Sequence, residues 1–232
     1  MLAIFNMKKL FLIFTISCLS ITSYAQLHEI GILVGGSNYV GDVGREMYIY
    51  PNQFMGGILY KRNINPRFAL RGTLTYAKIE ANDKDANNSV RKNRGIRFNN
   101  SIQELALGVE FNYWEYNLND YKLTHTPYLL FEVAAFHYKV VDKEVGYKDY
   151  EYTSKTSFAI PFGIGYKTKI VHNFAAAFEI RGRYTFTDDI DYNNNKIETL
   201  RFGNPTSNDW YFFTGISLVY AFGRPPCYAS PY

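Results

Sequence analysis

Acyl-transfer chemistry in a small protein needs a serine nucleophile, a histidine base and a carboxylate to orient that base. Of the four histidines, only His137 is expected well inside a strand, and no serine stands two residues from it. On a two-residue period His137 shares a face with Leu129, Phe131, Val133 and Ala135, which is the wrong company for a catalytic base. Asp188, Asp189 and Asp191, followed by Asn193–Asn195, offer oxygen ligands of the kind calcium takes. A solvated outer loop accounts for the same residues. Arg91, Lys92, Arg94 and Arg97 suit anionic headgroups, yet a soluble loop explains them as well. Gly35-Gly36-Ser37-Asn38 follows a strand but opens no helix, so it reads as barrel-wall glycine and turn rather than a phosphate loop. No close histidine pair or paired-cysteine motif is present. The chain reads as a non-enzyme with no cofactor and no metal.

The elements that carry these residues follow from composition and period. The chain has 232 residues, 25 Lys+Arg against 21 Asp+Glu, and an aromatic content of 18% drawn almost wholly from 21 Tyr and 18 Phe. The weak, scattered positive charge argues against nucleic acid as a partner. Aromatics in this proportion favour strands and interfaces.

Met7-Lys8-Lys9, the apolar run Leu10–Ile21 and Ser23-Tyr24-Ala25 make the three parts of a secretory signal peptide, residues 1–25, with cleavage before Gln26. The rival reading, a lipoprotein signal acylated on Cys18, places Thr15 where an aliphatic residue is usual. Cleavage leaves Cys227 as a lone thiol in an exported chain, either unpaired or paired with another molecule.

Past Gln26 the recurring pattern is alternation, over segments long enough for a tilted strand to cross a bilayer. Strands are predicted near 28–40, 53–61, 67–79, 102–114, 127–139, 156–167, 174–186 and 210–222. In the seventh, Phe174, Ala176, Phe178, Ile180, Gly182 and Tyr184 alternate with Ala175, Ala177, Glu179, Arg181, Arg183 and Thr185. In the fourth, Leu105, Leu107, Val109 and Phe111 oppose Glu104, Ala106, Gly108 and Glu110. A soluble sandwich also alternates. What separates the two is the small, charged face, where Arg71, Glu104, Glu110, Glu132, Glu179, Arg181 and Arg183 nearly balance. Such a set suits a narrow interior in which small residues leave room and ions satisfy one another, with the large apolar side chains outside. Trp114 and Trp210 fall at opposite rims, as an interfacial girdle requires.

The expected fold is therefore all-β: an eight-stranded antiparallel up-and-down transmembrane β-barrel of the outer-membrane type over residues 26–222. A tail at 223–232 follows, stiffened by Pro225-Pro226. Long polar connections are predicted at 41–52, 80–101, 140–155 and 187–209, with tight turns at 62–66 and 168–173. Short turns face the periplasm in such barrels, which places both termini there and the long loops outside. Eight strands leave an interior that side chains fill, so a diffusion pore is not expected.

Several stretches resemble the PorG-like outer-membrane barrels of the type IX secretion system. They are Glu29-Ile30-Gly31, Gly35-Gly36-Ser37-Asn38-Tyr39-Val40-Gly41-Asp42, Ile102-Gln103-Glu104-Leu105, Glu110-Phe111-Asn112 and Thr126-Pro127-Tyr128. Asn208-Asp209-Trp210-Tyr211, Tyr220-Ala221-Phe222-Gly223 and Pro226-Cys227-Tyr228 complete the set. The resemblance implies a non-enzymatic component that anchors a periplasmic ring, built from a lipoprotein and its partner subunit, with outer-membrane lipid around the barrel. Cys227 falls in the matching tail, beside such a ring, and an intermolecular disulfide there is the expectation. A generic porin-like or adhesive surface barrel, and a lipid-modifying barrel enzyme, are the alternatives.

Overall fold

The computed structural model describes residues 27–118, 123–146, 149–204 and 207–223. The expected signal peptide, the tail after Gly223, Cys18 and Cys227 lie outside the described residues. Eight strands follow in chain order: β1 Leu27–Val40, β2 Gln53–Asn63, β3 Phe68–Asn82, β4 Arg97–Asn112, β5 His125–Gly146, β6 Asp149–Val171, β7 Phe174–Thr185 and β8 Trp210–Gly223. Each pairs antiparallel with the next, and β8 pairs with β1 to close the ring. Closure leaves no sheet edge within the wall, the condition a sheet must meet to sit in hydrocarbon.

The alternation sorts the side chains as the period requires. Ile32, Leu107, Phe131, Phe158, Ile164 and Ile216 point outward, each more than half exposed. The intervening positions are buried. An apolar belt around a whole barrel far exceeds the few hundred Å² that soluble monomers expose, so its solvent is lipid. Trp114 follows β4 at the short-turn end and Trp210 opens β8 at the other. The tight β2–β3 turn is held by Asn65, whose side-chain oxygen accepts from the backbone N–H of Arg67 and Phe68 at 2.8 Å each.

Two connections expected as long loops lose residues to the strands, one of them nearly all of its length. β4 begins at Arg97, paired with Asn82 of β3, so the 80–101 connection shrinks to residues 83–96 with a short helix at Ser89–Arg94. The supposed loop at 140–155 is the far half of a β5–β6 hairpin, with register irregularities after Val141 and Glu144. Beyond the bilayer both faces of a strand meet water, so the contrast that marks a strand in sequence is lost.

The interior also departs from expectation. Its short-turn half holds charge and small residues, but its loop half is packed with Tyr39, Met55, Ile79, Phe98, Phe136, Tyr138, Tyr211 and Phe213. Glycines make room for large inward side chains lower down. A Cβ on Gly165 would collide with the Tyr128 ring, and one on Gly163 would lie 2.5 Å from the Ile180 carbonyl oxygen. We expect Gly165→Val to destabilise the barrel by about 1–3 kcal/mol through overpacking against Tyr128, read from the urea midpoint in lipid vesicles. Gly146→Ala, which meets only ordinary contact at 3.7 Å, should leave the midpoint in place.

Candidate functional site

Ten charged side chains from seven strands meet in the interior: Glu29, Lys61, Arg71, Glu104, Glu110, Glu132, Lys167, Glu179, Arg181 and Arg183, none more than 2% exposed. Five are cationic and five anionic. Arg71 on β3 reaches across the lumen to Glu179 on β7, Nη1 to Oε2 at 2.8 Å and Nη2 to Oε1 at 2.9 Å. Arg183 on β7 grips Glu104 on β4 through Nε and Nη2, at 3.1 and 3.0 Å. Glu110 accepts from both lysines, Lys61 at 2.8 Å and Lys167 at 2.5 Å, and Glu29 stands 4.0 Å from Lys61. Tyr128 and Tyr211 donate their hydroxyls to Glu179 and Glu104 at 2.7 and 2.6 Å. Bidentate, charge-assisted bonds of this kind are what permit ions to be taken from water.

Arg181 and Glu132 are held more loosely. Their closest approach is 3.6 Å, and Arg181 Nε lies 3.1 Å from Glu179 Oε1 without the alignment of a hydrogen bond. Their coupling is therefore Coulombic rather than directional.

The structure thus places all seven charged residues singled out in the sequence on the inward face and brings them into one network. Sequence reasoning missed Glu29, Lys61 and Lys167. Lys61 continues the inward series Met55-Gly57-Leu59, and Lys167 continues Gly163-Gly165, but each stands on the last residue of its predicted strand. Carrying the period through to those ends would have added both lysines.

Both ends of the barrel are covered. At the short-turn end Tyr116 and Leu118 are buried, with Lys167 Nζ 4.4 Å from the centre of the Tyr116 ring. At the other end Arg94 acts as a rivet. Its guanidinium donates to the Asp83 carboxylate at 2.8 and 3.0 Å, to the Asp42 carbonyl at 2.7 Å and to the Phe202 carbonyl at 3.2 Å. One side chain so joins the β1–β2, β3–β4 and β7–β8 connections. Asp83 also accepts from the backbone N–H of Gly44 and Ile96, and these bonds with Arg94 hold its carboxyl below the usual range despite burial. The expected soluble basic loop is in this way a folded cover: Arg91 donates to the Gly44 carbonyl at 3.0 Å, and Arg97 pairs with Glu80 at 2.7 Å.

The aspartate-rich segment is not a solvated loop either. Asp191 and Asn193 are buried, and the Tyr39 hydroxyl is shared between Asp191 Oδ2, at 3.0 Å, and Asp209 Oδ1. Burial pushes Asp188 up to about 7, helped by the charges of Asp42 and Asp191, and pushes Asp191 up to about 6. Asp209 is raised by burial and by Asp191. Among the described residues no group of three or more His, Cys, Asp or Glu is arranged to hold a metal ion. His137 points outward, its Nδ1 3.1 Å from the Thr156 hydroxyl.

A closed eight-stranded ring with an apolar exterior, an ion-paired interior and aromatic residues at both rims is a transmembrane β-barrel of the outer-membrane type. The chain belongs to the family described as Domain of unknown function (DUF6089), whose model matches residues 7–231. No curated protein matches it. Among solved structures it is similar to Ail, the attachment invasion locus protein of Yersinia pestis, at 12% identity and a TM-score of 0.45, covering 87% of this chain and 100% of that one. It is also similar to a major outer membrane protein from Thermus thermophilus, at 13% identity, 86% and 100% coverage and a TM-score of 0.49. Neisserial surface protein A (NspA) matches at 11% identity, 86% and 96% coverage and a TM-score of 0.43.

The charges make two outcomes testable. Arg183→Met strands the buried Glu104 carboxylate and should cost about 3–5 kcal/mol in urea unfolding, whereas Arg183→Met with Glu104→Leu should recover most of that loss. Equal loss in the single and double variants would contradict the pairing. Unfolded, Asp188 and Asp191 titrate near the ordinary value of about 3.9, but folded they keep their protons to about 7 and about 6. The folded form therefore binds more protons across that interval, and closure of the β7–β8 loop weakens from about pH 4 to pH 7 and stays weakest above it. Hydrogen exchange over 186–204, corrected for intrinsic rates, should show protection falling between about pH 4 and 7, and Asp188→Asn should flatten the fall.

Proposed function

We propose that this chain is a non-enzymatic outer-membrane barrel that anchors a periplasmic ring of the type IX protein secretion machinery, with both termini periplasmic and the long loops extracellular. The observation that carries the non-transporting part of this reading is the filled lumen. Ion pairs span it from β3 to β7 and from β4 to β7, and both ends are covered, so the molecule's surfaces are what remain to do work. The ordered resemblance to PorG-like barrels supports the choice of partner, a periplasmic lipoprotein and its companion subunit. In this reading Cys227 forms a disulfide with that ring.

A second reading is favoured by the β5–β6 hairpin, which continues well past the rim and presents exposed residues along Asp149–Thr156. A surface-binding barrel would use such a projection to engage a partner outside the cell.

Crosslinking in cells that make the full chain, followed by affinity purification, separates the two. Anchoring predicts recovery of periplasmic ring subunits, a disulfide-linked species on non-reducing gels that Cys227→Ser removes, and impaired export of cargo on deletion of the gene. Recovery of no periplasmic protein with export intact refutes anchoring. Loss of surface binding on shortening residues 140–155, with export unaffected, selects the second reading.

A further inference from the structure

Along the outer face of β1 the lipid-facing series Ile30-Ile32-Val34 continues into two residues that do not belong in hydrocarbon, Gly36 and Asn38. Asn38 stands opposite Phe212 in the β1–β8 register, on the outer wall, yet it is only 3% exposed. The cover comes from the β1–β2 connection, which folds back over the rim. The Asn38 side-chain amide donates to the Met47 carbonyl at 3.1 Å and the Tyr48 carbonyl at 3.2 Å, and its oxygen accepts from the Tyr50 N–H at 3.3 Å. Below this clasp lies a notch: a Cβ on Gly36 would stand 2.5 Å from Pro51 Cβ. Tyr48 packs edge-on against Phe212, which is itself stacked with Trp210.

The clasp buries the Asn38 side chain and bonds its amide to three backbone groups of the connection, while Met47, Tyr48, Ile49 and Tyr50 face outward, each 41–62% exposed. These four side chains are continuous with the belt formed by Phe54, Val34 and Trp210. Arg45 lies 4.6 Å over the Tyr50 ring and donates from Nε to the Asp85 carbonyl at 3.1 Å. An apolar patch beside an aromatic rim, with three of its backbone groups bonded to Asn38 from within, has the make-up of an interfacial anchor.

We propose that residues 47–51 form a lipid-seated hook, clasped by Asn38 and notched at Gly36, that inserts Met47, Tyr48 and Ile49 into the adjoining bilayer leaflet. The occupant is bilayer lipid because the patch prolongs the lipid-facing wall. The inference rests on that wall alone and is independent of the secretion reading.

The test uses the full chain with Cys18→Ser and Cys227→Ser, assembled into phosphatidylcholine vesicles and spin-labelled at Ile49→Cys. Labels at Ile32→Cys on the wall and Val90→Cys on the exposed helix give the lipid and water references. Oxygen accessibility relative to a water-soluble nickel chelate should be several-fold higher at Ile49 than at Val90 and close to Ile32. Asn38→Ala, in protein that keeps its heat-modifiable migration, should return Ile49 to the value at Val90. If that variant does not assemble, Gly36→Val displaces Pro51 and serves the same comparison. An Ile49 label that reads as aqueous in the otherwise intact chain overturns the hook and leaves the patch to a protein partner. A reading unchanged by loss of the clasp overturns the role of Asn38.

Discussion

Ten ions enclosed by a wall that faces hydrocarbon must neutralise one another, because neither surrounding phase offers them water. That constraint shapes the rest of the barrel. It requires donors and acceptors from opposite strands to meet at bonding distance, as Arg71 does with Glu179 and Arg183 with Glu104. It requires glycine where a bulky neighbour crosses, as at Gly165 under Tyr128. It also fixes the register of the ring, because a one-residue slip would send every carboxylate into lipid. The residues that carry the family resemblance include Glu29, Glu104, Glu110 and Tyr128, four members of this same network.

Above the ionic half, a second means of closure takes over. Aromatic side chains fill the loop half, with the Arg183 guanidinium 3.7 Å from the centre of the Phe213 ring at the junction. Three connections then fold over them and share one rivet, Arg94. Opening any one connection breaks an Arg94 bond that ties it to the others, so the protonation state of Asp188 and Asp191 bears on the whole cover rather than on one strand of it.

The wall was legible in the sequence because lipid and ion-paired interior impose opposite demands on alternate residues. Phe178 against Glu179 and Leu105 against Glu104 are plain at sight, and the order of the eight strands follows. The failures have the same cause in reverse. Where β5 and β6 leave the bilayer, both faces of Lys143–Gly146 and Tyr150–Thr156 meet water, so nothing in the pattern separates strand from loop. The interior aromatics Phe136, Tyr138 and Tyr211 were hidden by the expectation that a narrow lumen takes small residues. The role of Asn38 was hidden because its partners are backbone groups nine to twelve residues away, and backbone carries no sequence signature.

The projecting hairpin has one more consequence. A two-stranded ribbon standing clear of its barrel presents unpaired backbone to every neighbour in a crowded membrane, which invites lateral zippering. Here the β5 side is met by side-chain amides acting as a counterfeit strand: Asn100 donates to the Lys139 carbonyl at 2.8 Å and accepts from its N–H at 3.2 Å, and Asn194 donates to the Val141 carbonyl at 2.9 Å. On β6 the ionic residues Asp149, Glu151 and Lys155 oppose apposition of a second copy. Barrels so equipped can be packed densely without polymerising through their outermost strands.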